Sequence, residues 1–74
     1  MEVHVECYAG HRADERPQRF SFGQRTIEVE EIVDQWQGEN YRYFKLKGDD
    51  GGHYILHHDE ASQRWELTMY RSGE

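Results

Sequence analysis

Cysteine and histidine are the side chains that most readily hold zinc, and this 74-residue chain carries one cysteine and five histidines. Two spacings invite that chemistry, Cys7-x3-His11 and His53-x3-His57-His58. On a helix the second would gather its imidazoles. On a strand His53 and His57 share a face but stand about 13 Å apart, at roughly 3.3 Å per residue. Gly51-Gly52 and the alternation after it favour the strand. A structural metal site, drawing on Cys7, His11 and His57, is therefore the least favoured reading, and no cofactor is expected. Asp49-Asp50-Gly51 resembles part of a calcium loop but lacks the remaining ligand positions and the closing Glu, so it reads as a turn. Glu28, Glu30, Glu31 and Asp34 supply carboxylates, yet acid–base work needs one of them raised by burial. Strand parity leaves Glu28 and Glu30 in solvent. Ser21 and Ser62 have no nucleophile motif around them, and no phosphate or dinucleotide fingerprint is present. The chain is not expected to be an enzyme.

Composition bounds what elements can form. Ile, Leu, Val and Phe number 13, just under the roughly 20% at which a charged chain begins to look disordered. Five Tyr and two Trp offset that shortage, because aromatics bury large areas per residue. One small folded domain, residues 1–74, is expected. A lone Cys7 excludes an intrachain disulfide. The start Met1-Glu2-Val3-His4 has no basic and apolar leader pattern, and no apolar run approaches the length of a membrane span. A cytoplasmic location with no membrane partner is the expectation. The net charge is −6, which disfavours general binding of duplex nucleic acid. It is uneven: residues 1–40 sum to −5 and residues 41–74 to −1.

Turn signals recur at short intervals, as in a meander of strands. Val3, Val5 and Cys7 alternate with polar neighbours, so residues 2–8 read as a strand with Cys7 as a small inward residue. A loop through Pro17 follows. Phe20 and Phe22 alternate next, and Gly23-Gln24 suits a type II′ turn. That turn pairs Phe22 with Arg25 and Phe20 with Ile27. Residues 27–36 fit two patterns. Val29, Ile32, Val33 and Trp36 trace a helical face, which would give an α+β fold. The β-branched content favours a strand instead, with a bulge at Glu30-Glu31 to restore parity. Residues 41–47, 53–58 and 63–70 read as three further strands, with loops at 48–52 and 59–62.

These loops set a register, and the register sorts two faces. The inner face collects Phe44, Leu46, Tyr54, Leu56, Trp65, Leu67 and Met69. Val3, Val5, Phe20, Phe22, Ile27, Val29, Ile32 and Trp36 complete a core, and His58 falls on its parity near Arg42. A 59–62 loop places Leu56 opposite Trp65 and Tyr54 opposite Leu67. The outer face carries Tyr41, Tyr43, Lys45 and Lys47, then His53, Ile55 and His57, then Arg64, Glu66, Thr68 and Tyr70. Aromatics beside cations on a sheet face suit a protein interface or stacked bases.

The runs Arg19-Phe20-Ser21-Phe22-Gly23, Val29 to Trp36, Tyr41 to Leu46, Asp50-Gly51-Gly52, His58-Asp59-Glu60 and Trp65-Glu66-Leu67 together resemble a small bacterial domain family of unknown function. It occurs as free short proteins and near the C-terminus of some polymerase-like proteins of the DNA-damage response. The resemblance covers about residues 18–70 and implies a fold and a setting near DNA rather than catalytic residues.

The expected fold is all-β, a single small barrel of five or six short antiparallel strands, SH3-like or a similar meander. The expected function is a non-catalytic interaction module. It binds a protein partner through Tyr41, Tyr43, Lys45, Lys47, His53, Ile55 and His57. Weak single-stranded nucleic-acid binding through the same face is the alternative. Nothing in the sequence sets the oligomeric state.

Overall fold

The computed structural model describes residues 1–7 and 16–71. Tyr8, expected to end the first strand, and His11 lie outside them. Within the described residues every element is a strand: β1 (Glu2–Cys7), β2 (Pro17–Phe22), β3 (Arg25–Gln37), β4 (Tyr41–Gly48), β5 (His53–Asp59) and β6 (Arg64–Arg71). They pair antiparallel in chain order, and β6 returns to β1 to close a barrel. The segment 27–36 is strand throughout, so the helical alternative is excluded.

The β2–β3 hairpin has the expected register, with Phe20 opposite Ile27 and Phe22 opposite Arg25. Gly23 has φ 59, the positive φ that the first central position of a II′ turn requires. The first bulge also falls where expected. Val29 faces Gly48 and Glu31 faces Lys47, leaving Glu30 as the extra residue. Ile32 thereby returns to the inner side, opposite Leu46.

A second bulge follows at once and corrects the expected core. Ile32 faces Leu46 but Asp34 faces Lys45, so Val33 is extra. Every side chain beyond it changes side. Trp36, expected inside, pairs with Tyr43 on the outer face and is 42% exposed.

The β4–β5 register is as expected, from Lys47 opposite His53 to Tyr41 opposite Asp59. The β5–β6 register differs by two residues. The loop occupies residues 60–63, so Leu56 faces Leu67 and His58 faces Trp65. Asp59 fixes that loop: its Oδ1 accepts the Ala61 and Ser62 amides at 3.0 and 3.3 Å. Because side chains alternate with period two, a two-residue shift moves partners without exchanging faces. Trp65 and Leu67 remain inside. A third bulge then sits at Thr68: Leu56 faces Leu67, but Ile55 faces Met69. Met69, expected inside, is 61% exposed; Tyr70, expected outside, is 47% exposed and stands opposite Tyr54.

The core otherwise matches the expected set. Phe20, Phe44, Leu46, Tyr54 and Leu56 are essentially fully buried, with Val3, Ile27 and Trp65 beside them. Val5, Cys7, Phe22, Val29, Ile32 and Leu67 pack against that cluster. His58 is buried and stacks on Trp65 at 4.4 Å. Each fully buried Phe or Leu contributes about 1.5–3 kcal/mol.

One end of the barrel is laced by polar contacts. The Tyr54 hydroxyl donates to Asp50 Oδ2 at 2.6 Å, and the Gly52 amide donates to Asp50 Oδ1 at 2.9 Å. Arg25 Nη2 reaches Asp50 Oδ2 at 3.1 Å, and the Asp49 amide donates to the Glu28 carbonyl at 2.9 Å. The β4–β5 loop is thereby tied to the start of β3. The Asp49-Asp50-Gly51 segment serves as the expected turn. Among the described residues no helix is long and apolar enough to cross a membrane.

Candidate functional site

The outer wall of β3 to β6 is a grid fixed by register. One row crosses Trp36, Tyr43, His57 and Glu66. The next crosses Asp34, Lys45, Ile55 and Met69. The third crosses Glu31, Lys47, His53 and Arg71. All seven residues expected to form the binding face lie on this wall.

The first row is an aromatic cluster. The Trp36 and Tyr43 rings are parallel within 3° at a centroid distance of 5.3 Å. His57 lies 4.6 Å from the Tyr41 ring and 5.7 Å from the Tyr43 ring. Offset stacks and edge contacts of this kind contribute about 0.5–1.5 kcal/mol beyond area burial. Gly38 leaves room for the cluster: a Cβ there would stand 2.6 Å from Tyr43 Cε1. His57 Nε2 is 3.1 Å from Glu66 Oε1. A carboxylate only accepts, so Nε2 donates in this contact. Nδ1 is buried with no hydrogen-bond partner among the described residues.

The second and third rows form a shallow depression of about 210 Å³ lined by Lys45, His53, Ile55, Met69 and Arg71. Ile55 and Met69 supply its apolar lining, and Lys45, His53 and Arg71 its polar lining. Among the described residues neither Lys45 nor Arg71 takes part in an ion pair; those present use Arg19, Arg25 and His57. Lys47 stands opposite His53, outside this lining.

Bulges load this wall. They re-aim side chains by changing parity. The one at Val33 delivers Trp36 onto Tyr43, and the one at Thr68 delivers Met69 and Arg71 beside Ile55 and His53. The Thr68 hydroxyl donates to the Ile55 carbonyl at 3.0 Å. Trp36, Met69 and Arg71 are the residues that sequence reasoning missed. A faint signal exists: Ile32-Val33 and Met69-Tyr70 are apolar doublets that interrupt strict alternation.

The remaining candidates separate. Cys7 packs against the core while His57 lies on the outer wall, so the two do not converge on one ion. His11 is outside the described residues. Among the described residues no group of three or more His, Cys, Asp or Glu is placed to hold a metal. Glu28 is exposed and pairs with Arg19 at 2.7 Å, and Arg19 also reaches Glu6 at 2.8 Å. Arg64 lies across from Asp59 at the far end of the wall. No protein-family model, curated protein or solved structure matches this chain.

Proposed function

We propose that this chain is a non-catalytic interaction module that binds a protein partner through the outer wall of β3 to β6. The observation that carries the reading is the concentration on that one wall of half-buried aromatics, an apolar lining and cations without ion-pair partners. Protein interfaces are enriched in Tyr, Trp, Met and Arg, and this wall has all four. The resemblance to a bacterial domain that also occurs within larger proteins fits a module of this kind, working in the cytoplasm by contact rather than by reaction.

The test is selection of displayed peptides on the folded protein, followed by mapping of each binder on amide spectra. Enriched peptides should shift the amides of Tyr43, Lys45, Ile55 and His57 and lose affinity in Tyr43→Ala and Lys45→Glu. Failure to enrich any peptide, or binders that map to β1 and β2, would overturn the reading. Single-stranded nucleic acid is the second reading, favoured by the parallel Trp36–Tyr43 stack, because bases extend such stacks. It requires that short oligonucleotides shift Trp36 and Tyr43 and that added salt weaken the effect.

A further inference from the structure

The depression beside the aromatic cluster is specific enough in shape and charge to name the partner's chemistry, an inference that rests on the outer-wall reading. Its apolar lining is aliphatic and thioether, Ile55 and Met69, with His53 the one ring among the lining residues. Methionine adapts its shape to an inserted side chain. A volume of about 210 Å³ is below the roughly 300–1,000 Å³ of ordinary small-molecule pockets. It suits one aliphatic side chain with a carboxylate beside it. Strands are about 4.8 Å apart and alternate residues about 6.6 Å apart, so Lys45 and Arg71 stand at diagonal corners around that lining. Neither makes an ion pair among the described residues, and of the two Lys45 has an acid, Asp34, as its cross-strand neighbour.

The surroundings separate an acidic peptide from a nucleic acid. Glu31 and Asp34 lie directly across from Lys47 and Lys45 on β3. They bound the cationic patch on that side. A patch closed off by carboxylates accommodates a few point anions but not a continuous phosphate track, which needs successive cations. One Tyr43 face is taken by Trp36, and His57 packs on Tyr41 and Tyr43 in tilted and edge contacts. We propose that the depression seats an aliphatic side chain of a partner protein's acidic linear segment, with Lys45 and Arg71 pairing the flanking carboxylates.

The probe is a dye-labelled peptide with one leucine between two Asp-Glu pairs, followed by anisotropy and by amide shifts on the full chain. Controls replace the leucine by serine, the acids by glutamine, or the peptide by oligo-dT. The expected result is shifts at Lys45, His53, Ile55, Met69 and Arg71, weakened by salt and abolished by the serine control. Lys45→Glu and Arg71→Glu should each weaken binding, about tenfold, and reduce its salt dependence, as reversal of a rim charge does. Met69→Ser changes the apolar lining without changing charge and should also weaken binding. These three side chains are exposed, and retained amide dispersion checks that each variant folds. No shift at millimolar peptide overturns the proposal. Shifts confined to Trp36, Tyr41 and Tyr43 overturn the depression but leave the outer-wall module standing. Tighter binding of oligo-dT at the same residues overturns both.

Discussion

Asp50 concentrates three contacts on one carboxylate. The Tyr54 hydroxyl, the Gly52 amide and Arg25 all reach it. The Tyr54 hydrogen bond is the main cause that holds its carboxyl below the usual range, with burial working against it and the Gly52 amide and Arg25 adding to it. Burial, and then the bond to Asp50, push the Tyr54 phenol up. A carboxyl lowered on folding stabilises the protein above its unfolded value, near 3.9, and that stability is lost as pH falls through the folded value. Tyr54→Phe removes the strongest of these contacts and should cost about 1.5–3 kcal/mol at neutral pH, the range for a hydrogen bond to a charged group. It should also raise the Asp50 carboxyl towards its ordinary range, so the acid-induced loss begins at higher pH. Urea unfolding across pH 2–7, with the Asp50 carboxyl followed by carbon NMR, checks both parts. An unchanged Asp50 titration in Tyr54→Phe would show that the hydroxyl does not hold it. The outer wall differs in kind. Trp36 is 42% exposed, so Trp36→Ala should cost little beyond the lost stack. A double-mutant cycle with Tyr43→Ala should give a coupling of about 0.5–1.5 kcal/mol from the stack. Coupling near zero would mean the rings stack without stabilising each other.

Strands and their irregularities decide which residues reach the wall. The inward alternation of Phe44, Leu46, Tyr54 and Leu56 is readable in the sequence because period two over β-branched and aromatic residues has one meaning on a half-buried sheet. The Gly23-Gln24 turn is readable because only a few residue pairs suit that turn. The Glu30 bulge is readable because parity fails between two apolar residues that both need burial. The bulges at Val33 and Thr68 leave only the faint mark of the apolar doublets Ile32-Val33 and Met69-Tyr70, either member of which could face the core. The core has no way to announce Trp36 and Met69 as outside when both are apolar. Bulges at these positions imply a consequence for β6. Thr68 is the extra residue, so deleting it should leave Ile55 opposite Met69 and keep Arg71 on the outer wall. Cross-strand proton contacts between Ile55 and Met69 should survive in the deletion, and their loss would mean that Thr68 is not the extra residue. Gly48 is the corresponding constraint on β4. A Cβ there would stand 2.5 Å from Ile27 Cγ2 and 2.9 Å from Asp50 Oδ1. Gly48→Ala should therefore cost about 1–3 kcal/mol, as overpacking does, read from the urea midpoint.

At the scale of the whole barrel, closure rests on its shortest seam. Among the described residues β1 and β6 meet through two residue pairs, Glu2 with Glu66 and Val3 with Trp65, while β4 and β5 share seven. The Leu67 amide donates to the Met1 carbonyl at 2.8 Å, and the Met1 amino group donates to the Leu67 carbonyl at 3.4 Å. Few pairs and an exposed strand end make a region that opens with less free energy than the rest. Amide exchange should be faster at Leu67 and Val3 than at Leu46 and Leu56. The charge distribution weakens the seam further. Glu2 and Glu66 are cross-strand neighbours of like sign, an arrangement that destabilises a sheet, and Glu66 is already engaged by His57. This is one place where the acidic balance of the first forty residues acts on the fold itself rather than on partners. Glu2→Lys converts a like pair into an opposite one and should raise stability by about 0.2–1 kcal/mol, the range for cross-strand charge pairs. Because both groups face solvent, the gain should shrink as salt shortens the Debye length. Thermal unfolding of wild type and Glu2→Lys at low and high ionic strength reads it directly. A gain that persists undiminished in high salt would assign the effect to packing of the lysine stem instead of charge. No gain at low salt would mean that the seam does not limit the barrel.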